Sequence, residues 1–109
     1  MTKVCVYRKN KDIVKFTLDG HTGFAEQGED IVCAAISTLA TATLNGLTDV
    51  VKIGVGFEIR DAYIECILPD DISSAKRKST NVLLETFYLS LKDLENQYEK
   101  YITITELEV

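Results

Sequence analysis

The sequence has few of the residues that build disulfide frameworks or metal centres. Its 109 residues include three cysteines, one histidine, one proline and no tryptophan. Cys5, Cys33 and Cys66 are an odd number of widely separated thiols, which argues against a disulfide framework and against paired zinc ligands. We therefore expect free thiols, no metal and no cofactor. Any chemistry that needs an imidazole must use His21.

Positive charge and long apolar runs are also scarce. Twelve Lys and Arg residues stand against 17 Asp and Glu residues, which gives a net charge of −5. An acidic chain is poorly suited to a phosphate backbone, so we expect no direct nucleic-acid binding and favour a basic partner. No continuous run approaches the roughly 18 apolar residues of a spanning helix, and the first residues do not resemble a secretory leader. A cytoplasmic protein that contacts no membrane is the expectation.

Apolar residues are sufficient for one core. They make up 46% of the chain, which at this length favours a single domain spanning residues 1–109. Apolar periodicity predicts strands near 4–7, 14–18, 51–59, 64–68 and 101–105, and helices near 31–47 and 75–99. The predicted order is ββαββαβ. We expect an α+β fold in which two long helices are layered on an antiparallel or mixed sheet.

Several positions have specific expectations within these elements. The alternation of Val14, Phe16 and Leu18 predicts that these side chains face the core from the second strand. By the same argument, Phe57 and Ile59 face the core from the third. Gly46 is expected to end the first helix. Cys66 is expected in the core, and Cys5 on the opposite face of its strand from Val4 and Val6.

A loop of about a dozen residues separates the second strand from the first helix. Residues 19–30 contain three glycines and four acids and show no sustained periodicity. Loops of this length without structure of their own are usually functional or disordered. We expect this loop to be mobile, with Phe24 either covering a bound peptide or packed permanently in the core.

Cys33 lies three residues after Asp30, a good N-cap for the first helix. Unpaired amides and the helix dipole favour a thiolate in a first helical turn, and the loop can bring His21 back over it. The same amides are expected to hold an oxyanion. The neighbouring acids Glu26 and Glu29 oppose thiolate formation. Asp30 either caps the helix or orients the imidazole, and the sequence does not choose between these roles.

Cys33 and His21 also permit an interpretation without catalysis. A cysteine in an Ala-rich helix is typical of packing, and a histidine in a loop is typical of solvation. Spacing alone therefore does not select a catalytic pair.

Residues 20–37 resemble the signature of the ribosomal-processing cysteine protease family, Prp. The matching pattern is a Gly-His pair, a glycine-containing loop and then Gly-x-Asp-Ile-Val-Cys-Ala followed by a serine. The positions in register are Gly20, His21, Gly28, Asp30, Ile31, Val32, Cys33, Ala34 and Ser37. Thr22 stands where the family often has Ala or Ser. The similarity extends to the length, the acidic character and the Leu-rich second helix.

The resemblance implies a bacterial cysteine endopeptidase that removes an N-terminal extension from a large-subunit ribosomal protein, cutting between an aromatic and a small residue. It implies a homodimer, a mobile loop over the site and no cofactor. By position, Cys33 corresponds to the nucleophile and His21 to the general base. The candidates for orienting these groups or contacting substrate are Gly20, Gly23, Phe24, Gly28, Asp30 and Ser37.

A second hypothesis is a non-catalytic, ribosome-associated module that grips an extended peptide with the same loop. Loss of Cys33 or His21 would mark such a module, and both residues are present.

Overall fold

A computed structural model describes residues 1–109 and contains five strands and two long helices. These are β1 (Thr2–Lys9), β2 (Asp12–Asp19), α1 (Ile31–Asn45), β3 (Gly56–Arg60), β4 (Tyr63–Ile67), α2 (Ser74–Gln97) and β5 (Ile102–Glu108). The predicted order ββαββαβ and the α+β class are confirmed.

The five strands form one mixed sheet in the order β3-β4-β2-β1-β5. The pairs β1–β2, β2–β4 and β3–β4 are antiparallel, whereas β5 joins β1 in parallel. Parallel pairing requires a crossover, and α2 provides it.

The core lies between one face of the sheet and both helices. The sheet contributes Val4, Val6, Phe16, Leu18, Cys66 and Ile102, and the helices contribute Val32, Ile36, Ala40, Leu84, Phe87 and Leu91. The predicted burial of Cys66 is confirmed. On the opposite face, Cys5 is paired in register with Thr17, and Lys15 forms an ion pair with Glu65 at 3.1 Å. The sheet therefore carries an apolar layer on one side and a polar surface on the other.

The prediction that Val14 faces the core is wrong. Tyr7 pairs with Lys15 and Arg8 pairs with Ile13, which leaves Val14 as the extra residue of a β-bulge. The bulge reverses the alternation, so that Ile13 is buried and Val14 only half-buried. A bulge depends on the partner strand, which local periodicity does not reveal.

The α-helix ends at Asn45, as expected, but helical structure continues beyond it from Gly46. Its backbone is helical, with φ −61° and ψ −45°, and a π-helical turn continues over Gly46–Val51. A Cβ at this position would lie 2.8 Å from Cδ1 of Leu83. The glycine therefore permits close packing of α2, and Lys52, with φ 65°, ends the helical segment instead.

The expectation that Phe57 and Ile59 are buried is also wrong. They pair with Cys66 and Ile64 and so lie on the helix-bearing face, yet they are 59% and 60% exposed. The reason is that β3 is the edge strand and lies beyond the area that the helices cover. Its apolar side chains form an open wall beside the N-terminus of α1.

The segment Ile31–Val51 qualifies the expectation that no stretch suits a membrane. By length and composition alone it is apolar enough to span one. Core helices of globular proteins meet the same criterion. Here the segment places Val32, Ile36 and Leu47 in the core cluster, which accounts for its composition.

Candidate active site

Gly20 positions His21 at the end of β2. Its amide donates to the carbonyl of Ala62 at 2.8 Å, and its carbonyl accepts from the Thr2 hydroxyl at 2.7 Å. Its φ is +94°, and a Cβ would lie 2.8 Å from the carbonyl oxygen of Met1. Only glycine fits both the conformation and the space. The residue before His21 must therefore be a glycine, which explains the Gly-His pair of the sequence.

Asp30 caps α1. Its Oδ1 accepts the amides of Val32 at 3.0 Å and Cys33 at 2.9 Å. Its Oδ2 accepts the Thr22 hydroxyl and, at 3.1 Å, the Phe24 amide. These contacts engage both carboxylate oxygens, and none involves His21. The sequence left two roles open for Asp30, and in the structure it caps the helix and does not contact the imidazole.

The environment of Asp30 favours its charged form. Burial raises the pKa of this carboxyl, but hydrogen bonds from Thr22, Cys33 and Ala25 outweigh burial and lower the pKa to about 2. A fixed negative charge therefore lies under the first turn of α1 at neutral pH.

Thr22 is the residue that sequence reasoning missed. It is 2% exposed, and it contacts Cys33 through both its backbone and its side chain. The Thr22 amide and hydroxyl oxygen each lie 3.4 Å from Sγ of Cys33. The only signal in the sequence is the presence of Thr where the resembled family often has Ala or Ser.

Most of the predicted site residues meet at one open cavity of about 580 Å³. Among its lining residues are Gly20, His21, Gly23, Gly28, Asp30, Cys33 and Ser37. Ser37 lies one helical turn after Cys33 and so shares its face of α1. Ile59 and Arg60 from β3 and Tyr63 and Ile64 from β4 complete the wall. The thiol and the imidazole thus lie beside an apolar surface that the sequence analysis assigned to the core.

Phe24 does not line this cavity. Its ring lies edge-on against Tyr98 and Tyr101, with ring centroids 5.6 and 5.2 Å away, and the residue remains 37% exposed. It holds the loop against the end of α2 and the start of β5. It is therefore neither buried in the core nor placed over the site.

His21 and Cys33 share the cavity without a hydrogen bond between them. Nε2 of His21 lies 3.8 Å from Oδ1 of Asp61 in the β3–β4 turn, and both side chains are largely exposed. No pattern in the sequence singles out Asp61.

The first turn of α1 has few free donors for the expected oxyanion, since only the Ile31 amide has no acceptor within the chain. The amides of Val32 and Cys33 donate to the Asp30 side chain, and the Ala34 amide donates to the Asp30 carbonyl at 3.1 Å. Gly23 and Gly28, in contrast, are lining residues of the cavity, and neither of their amides has an acceptor within the chain. No cluster of three or more His, Cys, Asp or Glu side chains is arranged to hold a metal ion.

A cysteine at the N-terminus of a helix and a histidine on the same cavity are the arrangement expected of a cysteine protease. The family model described as "Cysteine protease Prp" matches residues 1–103. The chain belongs to that family.

Known proteins of similar sequence and fold agree with this assignment. The ribosomal processing cysteine protease Prp of Bacillus subtilis (strain 168) is 30% identical over 102 residues, which cover 88% of each chain. The crystal structure of the essential ribosomal processing protease Prp from S. aureus, in complex with a covalently linked product peptide, has a TM-score of 0.88 at 21% identity and covers 97% of this chain and 99% of that one. SMU.848 from Streptococcus mutans has a TM-score of 0.80 at 25% identity, with coverage of 100% and 96%.

Proposed function

We propose that this chain removes an N-terminal extension from a large-subunit ribosomal protein of its bacterial host, with Cys33 as nucleophile and His21 as general base. The observation that carries the proposal is that both residues line one cavity. Cys33 is the only cysteine there, because Cys66 is fully buried and Cys5 lies on the opposite face of the sheet. The B. subtilis relative, a ribosomal processing protease, supports the substrate class.

The reaction begins with proton transfer from the Cys33 thiol to His21. The thiolate attacks the scissile carbonyl carbon, and collapse of the tetrahedral intermediate breaks the C–N bond. His21 then gives its proton to the leaving amine. Water, deprotonated by His21, hydrolyses the thioester and regenerates the thiol. In this mechanism His21 must move into hydrogen-bonding distance of the sulfur when substrate binds.

Loop amides are better placed than helix amides to stabilise the intermediate. Because Asp30 occupies the amides of Val32 and Cys33, the oxyanion is assigned to the free amides of Gly23 and Gly28. Both glycines have positive φ, at +76° and +90°. Glycine adopts positive φ without strain and has no side chain to separate its amide from a bound peptide.

The apolar wall suits the aromatic residue that the family resemblance places before the cut. Ile36, Ile59, Tyr63 and Ile64 line the cavity beside Cys33. Burial of an aromatic side chain against such a wall supplies binding energy roughly in proportion to the apolar area removed from water. Ser37 lies along the same wall and is assigned to substrate contact.

Charge supports a basic substrate. Glu26 and Glu29 are exposed on the loop beside the cavity, and the chain carries a net charge of −5. An acidic rim attracts basic peptides and raises their association rate. Ribosomal proteins are commonly basic, and a chain that processes them acts in the cytoplasm.

The active form is proposed to be a homodimer of single-domain chains, each spanning residues 1–109. One hydrophobic cluster joins both helices to the sheet, which supports a single domain. Val82 and Leu89 are 67% and 62% exposed, and their spacing places them on one face of α2. Burial between two chains would remove this apolar face from water. Sedimentation equilibrium at micromolar concentration should give about twice the 12.2 kDa chain mass; a monomer mass contradicts the dimer.

A peptide assay separates catalysis from binding alone. The purified protein is incubated with a peptide spanning the N-terminal extension of the host ribosomal protein and with a scrambled peptide of the same composition. Mass spectrometry should find one cut, between an aromatic and a small residue, only in the native sequence. Binding of the native peptide without cleavage would instead favour the non-catalytic module.

A further inference from the structure

The hydroxyl of Thr22 lies between the Cys33 thiol and the Asp30 carboxylate. Its oxygen is 3.4 Å from Sγ of Cys33 and hydrogen-bonded to Oδ2 of Asp30. Thr22 is 2% exposed, so water does not compete for these contacts. The direction of the hydroxyl proton decides what the oxygen offers the sulfur.

Asp30 fixes that direction. Its carboxylate accepts amide donors on both oxygens, which is the arrangement of an ionised group. An ionised carboxylate can only accept, so the Thr22 hydroxyl proton points toward Oδ2. The Phe24 amide donates to the same Thr22 oxygen at 3.3 Å. The hydroxyl oxygen therefore presents a lone pair, not a proton, to the sulfur.

The lone pair of the Thr22 hydroxyl oxygen interacts differently with the thiol and the thiolate of Cys33. The thiol can donate its S–H to the Thr22 oxygen, whereas a thiolate has no proton to donate and faces the negative end of the hydroxyl dipole. We propose that Thr22 is a positioning residue whose hydroxyl, oriented by Asp30, accepts the Cys33 S–H and holds the resting nucleophile protonated. This inference rests on the proposed role of Cys33.

Thr22 also has a donor for the deprotonated form of Cys33. When His21 takes the proton, the S–H bond breaks, an N–H bond forms on the imidazole and the hydrogen bond to the Thr22 hydroxyl is lost. The Thr22 amide, 3.4 Å from the sulfur, remains as a donor to the thiolate. Thr22 thus restrains the thiol until His21 and substrate are in place.

The test measures Cys33 alkylation by iodoacetamide as a function of pH in wild type, Thr22→Val and Thr22→Ser. Peptide mapping follows Cys33 separately from the other two thiols. The titratable and charged side chains that line the cavity, besides Cys33, are His21, Asp30, Arg60 and Tyr63. Glu26, Glu29 and Asp61 lie beside it, and all of these groups are retained in the variants. Circular dichroism first confirms that each variant folds.

Thr22→Val should lower the pH of half-maximal alkylation by about 0.3 to 1 unit, the two- to tenfold change expected for loss of one weak hydrogen bond. Thr22→Ser, which keeps the hydroxyl, should retain the wild-type midpoint. An unchanged midpoint in Thr22→Val would leave Thr22 a merely structural role. An upward shift would mean that the hydroxyl stabilises the thiolate, and either result overturns the proposal.

Two further measurements keep the test decisive if Thr22→Val does not fold. Thr22→Ala removes the same hydroxyl with a smaller side chain and carries the same expectation. In the wild-type protein, the infrared S–H band that Cys33→Ala removes should lie at lower frequency than the band of a free thiol; a free-thiol frequency contradicts the hydrogen bond. Neither readout uses a peptide, so failure of this inference is distinguishable from failure of the proposed substrate.

Discussion

Oδ1 of Asp30 accepts the backbone amide of Cys33 at 2.9 Å. Asp30, the N-cap of α1, is thereby hydrogen-bonded to Cys33, the proposed nucleophile. Its other oxygen binds the amide of Phe24, so one carboxylate joins the loop to the helix. The stability of the loop and the placement of the thiol therefore depend on the same ionised group.

Asp30 is expected to make folding stability depend on pH. A pKa lowered from 3.8 to about 2 corresponds to at most about 2 to 3 kcal/mol of stabilisation. The stabilisation is present above about pH 4 and is lost as the pH falls toward 2. Urea unfolding should show a gap between wild type and Asp30→Asn at pH 7 that narrows below pH 4. Glu29→Gln, an exposed change in the same loop, is the control and should unfold like wild type. A gap that is constant from pH 7 to pH 2.5 contradicts this role.

The three thiols should react in a defined order. Cys66 is fully buried, and burial raises the pKa of its thiol to about 12, so it should be the slowest in the native protein. Cys33 borders an open cavity at a helix N-terminus and should be the fastest. Limiting iodoacetamide followed by peptide mapping measures the order. Faster labelling of Cys5 or Cys66 than of Cys33 would overturn it.

Asp61 should contribute little to catalysis. It lies 3.8 Å from His21, but its side chain is 86% exposed. Exposed ion pairs contribute at most about 1 kcal/mol, so Asp61→Asn should lower kcat/KM by no more than about fivefold. Asp19→Asn, at the exposed end of β2, serves as the comparison for loss of one surface acid. A loss of a hundredfold or more in Asp61→Asn would make Asp61 an orienting partner of His21.

The loop over residues 21–29 should be mobile without substrate and become protected with it. Glu29 is its only residue whose amide donates to a backbone carbonyl, that of Glu26, at 2.9 Å. Segments with few backbone hydrogen bonds exchange amide protons rapidly. Exchange should slow in the Cys33→Ala protein when a substrate peptide is bound. Equal protection in the free and bound states would show a static loop.

Phe24 is expected to restrain this motion. Because its ring packs against Tyr98 and Tyr101, Phe24→Ala should speed amide exchange of residues 21–29 in the free protein. Val50→Ala removes an exposed apolar side chain, 78% accessible, from the end of the π-helical turn and is the matched control. If both variants exchange like wild type, the aromatic contact does not hold the loop.

Local sequence signals were sufficient for the order of the elements and for part of the site. The predicted strand at 51–59 was wrong in its first half, because a π-helical turn includes Val51 and β3 begins only at Gly56. The N-cap at Asp30 and the position of Cys33 in the first turn follow from short-range geometry, which a sequence pattern records directly. The Gly-His pair was visible in the same way. Its reason, a close approach of Gly20 to Met1, was not, because Gly20 follows β2 and Met1 precedes β1, and only the pairing of these strands brings the two residues together.

Contacts between distant segments account for what the sequence did not predict. The bulge at Val14 depends on the register with β1, and the exposure of Ile59 depends on the position of β3 at the sheet edge. Thr22 looked like an ordinary loop residue because its partners, Cys33 and Asp30, are brought to it only by the fold.

The most direct test of the account is turnover of the ribosomal-protein peptide by wild type, Cys33→Ala and His21→Ala, with Cys5→Ala as the matched thiol control. Cys33 and His21 are not in the buried core, so both variants should fold as wild type does by circular dichroism. We expect full turnover in Cys5→Ala and no turnover above background in Cys33→Ala and His21→Ala. Wild-type kcat in either Cys33→Ala or His21→Ala would contradict it.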